Sequence, residues 1–418
     1  MSISSWFKFK LIIFIIYILL SLIFEQFYRK PLFIISLNLQ KQLYPKFSES
    51  SIKIFKLLSK FGTQNALIPL LIIILILFPL NISYTFCSII ILSSYFDNIL
   101  KILYGSPRPF WIYPSIKRTC DGGYGNPSGH SFSSFSVYLS LYNIIVDLSY
   151  FNMRSYLKLF LLCLFILFSF LICLSRIFLS IHSLNQIMFG IILGIGMYFY
   201  YFHIIELHKF SGKQFFKYIN GTFENIIHTI KFIIYFIILL FLYLFRENNW
   251  KEYNHIINKE CSHLYEYRKF NNDGFFIGSV LFLLIGAHYG LYSLFSKSKI
   301  KLPFKEEYIN KWSEFKNKKE LIFKILIFFP HAIPMIIYLL IPNNTPLYIL
   351  FPIKVIIPYV ITGYCFFSIY INNCIKLKLA NQNLYFNYRI GSEIENITKI
   401  GNNVIEVKIK ESNEITNP

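Results

Sequence analysis

Three short stretches hold most of the side chains in this sequence that could do chemistry. Lys101-Ile-Leu-Tyr-Gly-Ser-Pro-Arg108-Pro109 sets a lysine and an arginine with six residues between them. Pro127-Ser128-Gly129-His130 follows, and then Ser175-Arg176, with His182 six positions beyond the arginine and Gln186 four further on. Only 15% of the chain is charged, yet three cations and two histidines gather where apolar runs end. Phosphate is the group such a set suits best. A phosphate ester near neutral pH carries close to two negative charges. Its transfer spreads charge over the equatorial oxygens, so fixed positive charge and oriented N–H donors carry the catalysis.

On that chemistry each residue has a role. Lys101, Arg108 and Arg176 bind phosphate, the arginines through a planar fork and the lysine as a point charge. Ser128 is a good helix N-cap, and Gly129 lets an anion approach the free N–H groups of the first turn. Of the two histidines, one attacks phosphorus and the other protonates the leaving oxygen, tasks suited to a group titrating near neutrality. Gln186 shares a helical face with His182 and can accept its ring N–H. Asp97, four residues before Lys101, either steers the lysine or forms a simple surface ion pair. Singly, these residues read as interfacial anchors and a helix start. Their combination, in order and at these spacings, is what points to a site.

The elements that must position them are membrane helices. The chain has 418 residues, is 55% hydrophobic and 19% aromatic, and has a mean hydropathy of +0.51. That composition indicates an all-α, polytopic membrane protein. The net charge of +20 lies mostly in short loops between apolar runs, where lysines orient spans and meet lipid headgroups. No basic soluble domain is present to bind nucleic acid. About ten spans are expected: an anchor around Leu11–Phe24, then 65–80, 83–103, 130–148, 157–174, 184–204, 229–245, 274–296, 321–341 and 347–373. Residues 31–63 read as an amphipathic helix lying on the membrane surface. Gly190 with Gly194, and Gly286 with Gly290, are small-residue pairs that let helices pack closely. His288 and His331 read as interhelical hydrogen-bonding groups.

The organisation expected is an N-terminal anchor and amphipathic segment (1–60), a core carrying the motifs (61–205), additional transmembrane helices (206–373) and a polar cytosolic tail (374–418). Eight lysines between Lys297 and Lys319 favour that loop as cytosolic, which puts all three motif pieces on the non-cytosolic side. Seven cysteines without a repeated short spacing argue against a zinc site and a disulfide scaffold. Cys120 and Cys261 fall on the same side, which allows one disulfide; two free thiols is the simpler expectation.

The three motif pieces resemble the phosphatase signature of the type 2 phosphatidic acid phosphatase superfamily, which includes glucose-6-phosphatases. The resemblance covers roughly residues 60–205. It implies a six-helix phosphatase core and hydrolysis of a phosphomonoester, a lipid phosphate such as phosphatidate or a sugar phosphate. In it His182 is the nucleophile that forms a phosphohistidine, and His130 is the general acid. Lys101, Arg108, Arg176, Ser128 and Gly129 bind phosphate, and no metal or other cofactor is needed. It also implies a lumenal or extracellular site, and endoplasmic reticulum or other endomembrane residence. Gln186 stands where the family usually has aspartate, and glucose-6-phosphatases also tend to carry glutamine there. They share the look of Arg108-Pro-Phe-Trp111 and Thr119-Cys-Asp-Gly-Gly-Tyr-Gly-Asn-Pro127 as well. The expected partners are the membrane and a phosphorylated lipid or sugar, with protein partners left open.

Overall fold

The computed structural model describes residues 5–78, 80–148, 153–206, 212–245, 277–297, 318–334 and 351–377, with residues 259, 261, 275 and 340. Among these, every regular element is helical and there is no strand. Six helices are long and apolar enough to cross a membrane: 6–46, 80–112, 155–178, 184–205, 222–245 and 351–374. Three shorter apolar helices accompany them. The protein is a helical membrane protein, and the expected count of ten spans is not established by these elements. Most of the expected polar tail, 378–418, and the lysine-rich loop 298–317 lie outside the described residues.

The first helix departs most from expectation. α1 runs unbroken from Ser5 to Leu43 through Pro31, so residues 31–43 extend the anchor instead of beginning a surface helix. The polar residues that seemed to end the apolar run point inward: Glu25, Ser36 and Gln40 are all buried. Tyr17 locks α1 to the bundle by donating to Ile192 O at 2.6 Å. The amphipathic reading survives in α2 (Glu49–Lys60). Its Ile54 and Leu57 are exposed, while Phe55 packs on Phe178 with ring centroids 4.5 Å apart.

α3 (Gln64–Leu77) leads into α4 (Leu80–Tyr104), which is buried along most of its length. The short α5 (Pro109–Ile112) precedes a long loop and α6 (Gly129–Leu148). α7 (Ser155–Phe178) and α8 (Leu184–Phe199) complete this group, α8 continuing as a π-helical turn over Tyr200–Ile205.

Helix α6 is the central member. Ser131, Ser133, Ser134, Ser136 and Ser140 make it less apolar than its neighbours, and the packing explains how it tolerates them. α4, α7 and α8 all pack on it. Ser136 bonds Ser93 of α4 at 3.0 Å, and Ser169 of α7 donates to Ser134 O at 3.3 Å. Such hydrogen bonds join helices where lipid offers no partners. A Cβ on Gly190 would lie 2.6 Å from Ser128 O, and one on Gly194 2.6 Å from Phe132 O. Both glycines bring α8 directly against the α6 backbone.

Beyond this group lie α9 (Gly212–Asn220), α10 (Thr222–Phe245), α11 (Leu281–Lys297), α12 (Lys318–Phe328) and α13 (Ile357–Tyr364). A Cβ on Gly286 of α11 would fall 2.1 Å from Val360 O of α13, another close helix crossing. His288 and His331 both make hydrogen bonds, His288 to Tyr84 and Asn225 and His331 to Ile327 O.

Cys120 and Cys261 form a disulfide, with Cα atoms 5.9 Å apart. The expectation of two free thiols is therefore corrected. The bond ties the loop between α5 and α6 to the segment after α10, a pairing across 141 residues that no short cysteine spacing could announce.

Candidate active site

Helix direction brings the three motif pieces together. Lys101 lies in the last turn of α4 and Arg176 in the last turn of α7. Gly129 opens α6, and His182 immediately precedes α8. Two helix ends and two helix starts thus meet at one end of the bundle.

His182 sits in a tight turn. The N–H groups of Ile181 and His182 both donate to Arg176 O, at 3.1 and 3.3 Å. Ser180 holds φ +58°, a left-handed conformation that a non-glycine residue rarely adopts and that clusters at functional sites. The His182 Nδ1 atom lies 2.9 Å from Gly125 O and 3.1 Å from Gln186 Oε1. Both oxygens can only accept, so Nδ1 carries the hydrogen and Nε2 keeps its lone pair. That lone pair faces Arg108, whose NH1 is 3.3 Å away.

The glutamine at 186 has a structural logic. Its Nε2 donates to Pro107 O at 2.8 Å while its Oε1 accepts from Ser183 N at 3.2 Å. A carboxylate could not donate to Pro107. The longer side chain also needs room: a Cβ on Gly125 would lie 2.5 Å from Gln186 Nε2. Gly125 and Gln186 therefore fit as a pair.

The two arginines are held from behind. Arg108 Nε donates to Gly123 O at 2.9 Å, and its NH2 donates to Gly122 O. Arg176 NH1 donates to Ser59 of α2. Among the described residues, nothing accepts from the buried Arg176 Nε. Lys101 Nζ donates to Asp97 Oδ2 at 2.7 Å. Both side chains are largely buried, which makes this an internal pair and not a surface one. A Cβ on Gly129 would lie 2.5 Å from Asp97 Oδ2 and 3.1 Å from Lys101 Nζ, so only glycine lets the start of α6 pass so close to the lysine. Ser128 N donates to Gln186 O at 2.9 Å, and Ser128 Oγ accepts from Ser131 Oγ at 3.0 Å. His130 stands in the first turn of α6 and shares its electrostatic surroundings with Arg176, Asp121, Lys101 and Arg108.

Burial, reinforced by Arg108, Arg176 and Lys101, pushes the His182 pKa well below its ordinary 6.5. The ring is therefore neutral near pH 7, the state a nucleophile needs. Asp121 shifts by the opposite balance. Burial alone would raise its pKa, but Arg108 and Arg176, with His130 and His182, hold it well below the usual carboxylate range.

Several partners of these residues escaped the sequence reading. Gln40 Nε2 donates to His182 O at 2.8 Å, and Leu184 N donates to Ser36 Oγ at 3.1 Å. Asn126 Nδ2 donates to Glu25 Oε1 at 2.8 Å, and Arg29 pairs with the same carboxylate. Helices α1 and α2 thus support the site directly. The signal was present as polar residues at positions 21, 25 and 29, then 36 and 40, spacings that share a helix face. Asp121, which contacts both arginines, was also missed.

Part of this helical bundle is similar in sequence to known proteins. Residues 83–209 match the family model of the PAP2 superfamily. Dolichyldiphosphatase of Saccharomyces cerevisiae is 30% identical over 128 residues, covering 29% of this chain and 51% of that protein. Glucose-6-phosphatase catalytic subunit 1 of Canis lupus familiaris is 28% identical over 147 residues, covering 30% of this chain and 41% of that protein. The chain thus spans about half the length of these relatives or less. A transmembrane PAP2 type phosphatidylglycerolphosphate phosphatase from Bacillus subtilis aligns in structure over 46% of this chain and 96% of its own, at TM-score 0.40 and 17% identity.

Proposed function

We propose that the protein is an integral-membrane phosphatase that hydrolyses the phosphate ester of a lipid or sugar, or a pyrophosphate, through a phosphohistidine. The observation that carries this reading is the tautomer of His182. Donation from Nδ1 to Gly125 O leaves Nε2 unprotonated and facing Arg108 NH1, so a phosphoryl group on that arginine lies within reach of the lone pair. Nε2 attacks phosphorus, and His130 supplies the proton to the leaving oxygen. Water then attacks the phosphohistidine, with His130 taking its proton. Arg108, Arg176 and Lys101 stabilise the charge on the equatorial oxygens. The unpartnered Arg176 Nε is a donor free for one of them. Ser128 Oγ and the Gly129 N–H complete the anion cradle at the start of α6.

Gln186 gives the imidazolium that forms less support than a carboxylate would. The matched relatives act on a polyprenyl diphosphate and a sugar phosphate by their names, and both kinds of substrate present a terminal phosphate dianion to such a cradle. The site lies on the non-cytosolic face in this reading, and the enzyme needs no metal.

The test is hydrolysis by purified protein, in the presence of a chelator, of phosphatidate, a polyprenyl diphosphate and glucose 6-phosphate. Radiolabelled phosphate should be trapped on the protein in acid-labile form. Activity on none of the three, or equal labelling of His182→Ala, would overturn the reading.

A further inference from the structure

Asp121 sits where substrate is expected. Its Oδ2 atom is 3.4 Å from Arg108 NH1 and is also hydrogen-bonded by Arg176 NH2. The same Arg108 NH1 is 3.3 Å from His182 Nε2. One carboxylate oxygen therefore lies between both arginines, a single atom removed from the nitrogen assigned as nucleophile. We propose that Asp121 is an internal competitor that occupies the phosphoryl subsite in the empty protein and must be displaced by substrate. The inference rests on the function proposed above for this site.

Four observations support it. The arginines do not depend on Asp121 for their positions, because Gly122 O and Gly123 O hold Arg108 and Ser59 holds Arg176. The side chain has a way out, being 32% exposed on a loop and not within a helix. The charged carboxylate is favoured, since the arginines hold its pKa well below the usual carboxylate range. Finally, Cys120 beside it is bonded to Cys261, which anchors the main chain and leaves side-chain rotation as the motion that opens the subsite. At Gly123, two residues beyond Asp121, φ is +68° and nothing lies within 4 Å of an added Cβ.

The consequence is a uniform cost on anion binding. A terminal phosphate dianion offers more oxygens and more charge than one carboxylate oxygen shared by two forks, so it displaces Asp121. A phosphodiester, with one negative charge and two free oxygens, gains less from the same arginines and displaces Asp121 only at higher concentration. Asp121 lowers the apparent affinity of both by the same factor, the fraction of the empty protein whose subsite is open.

The experiment is calorimetric binding of inorganic phosphate to the full chain, wild type beside Asp121→Asn, together with hydrolysis of p-nitrophenyl phosphate and of bis-p-nitrophenyl phosphate. Asp121→Ser serves as a second variant should the first not fold. Removal of the charge should tighten phosphate binding about tenfold, the factor expected if the carboxylate fills the subsite about nine-tenths of the time. In an active protein kcat/KM for both esters should rise by a similar factor, with their ratio little changed. Unchanged or weaker phosphate binding in the folded variants would overturn the proposal, and so would unchanged kcat/KM for the two esters in an active variant. Calorimetry needs no turnover. Tightened binding in a protein that hydrolyses nothing would therefore sink the phosphatase reading and leave the subsite assignment standing.

Discussion

Two buried clusters of polar side chains lie at opposite ends of α4, and both contain two histidines and a lysine. At one end Lys101, Arg108, Arg176, His130 and His182 gather with Asp97 and Asp121. About 25 Å away along the helix axis, Tyr84 bonds His288 Nδ1 at 3.2 Å, and His288 Nε2 meets Asn225 Oδ1 at 3.2 Å. Lys231 Nζ reaches His228 Nδ1 at 3.2 Å, and Thr229 bonds Tyr289 at 2.7 Å. The second cluster matches donors to acceptors, and so reads as a clamp joining α4, α10 and α11. The first keeps donors to spare: Arg176 Nε finds no acceptor among the described residues, and two arginines share one carboxylate oxygen. Surplus donor capacity, more than the presence of histidine, separates a place built for an anion from a place built for packing.

The comparison can be broken in several ways. The largest expected effect is that of His182→Ala, a loss of at least ~10³-fold in kcat/KM, set beside His288→Phe, which should keep the rate within about twofold. Similar losses in both would erase the distinction. Next comes Arg176→Lys, which keeps the charge and loses the fork; a drop of about 10²-fold in kcat/KM is expected. A residual rate near wild type would show that charge alone suffices.

At the other end His288→Phe strands Tyr84 and Asn225, at a cost of about 1–3 kcal/mol, read as a lower midpoint of thermal unfolding in detergent. The pH profile sharpens the contrast further. In the proposed mechanism the attacking form of His182 is neutral, and its pKa is pushed below 6.5, so the acid limb of kcat/KM should lie below pH 6.5. Gln186→Glu brings a negative charge to the ring, favours the imidazolium and should move that limb upward. The smallest effect belongs to Gln40→Ala, a loss of about threefold in kcat with KM little changed, because Gln40 touches only the His182 carbonyl.

The motif residues were legible because their chemistry is dense and their spacing is local. Lys101 and Arg108 fall on a helix end and the turn after it, and His182 and Gln186 on adjacent turns, so short-range geometry already places them. Glu25, Ser36, Gln40 and Ser59 were not legible as site residues, because their partners lie 101 to 148 residues away. Each looked like ordinary polarity near a membrane surface. The surface helix expected from residue 31 failed in the same region, because α1 continues through Pro31 to Leu43. Asp121 was hidden for another reason. A lone aspartate in a glycine-rich loop is unremarkable until two arginines converge on it. The Cys120–Cys261 bond likewise depends on a contact that only the folded chain creates.

The serine content of α6 has a consequence for what holds the helix in place. Three of its five hydroxyls bond carbonyls of the helix itself, Ser134 to Ser131 O, Ser136 to Ser133 O and Ser140 to Ser136 O, so a solitary α6 already satisfies them. What it lacks alone is cover. Ser93 of α4 and Ser169 of α7 meet its polar face, and Gly190 and Gly194 let α8 close on its backbone. The helix that presents His130 and Gly129 is thus fixed by contacts from α4, α7 and α8 together.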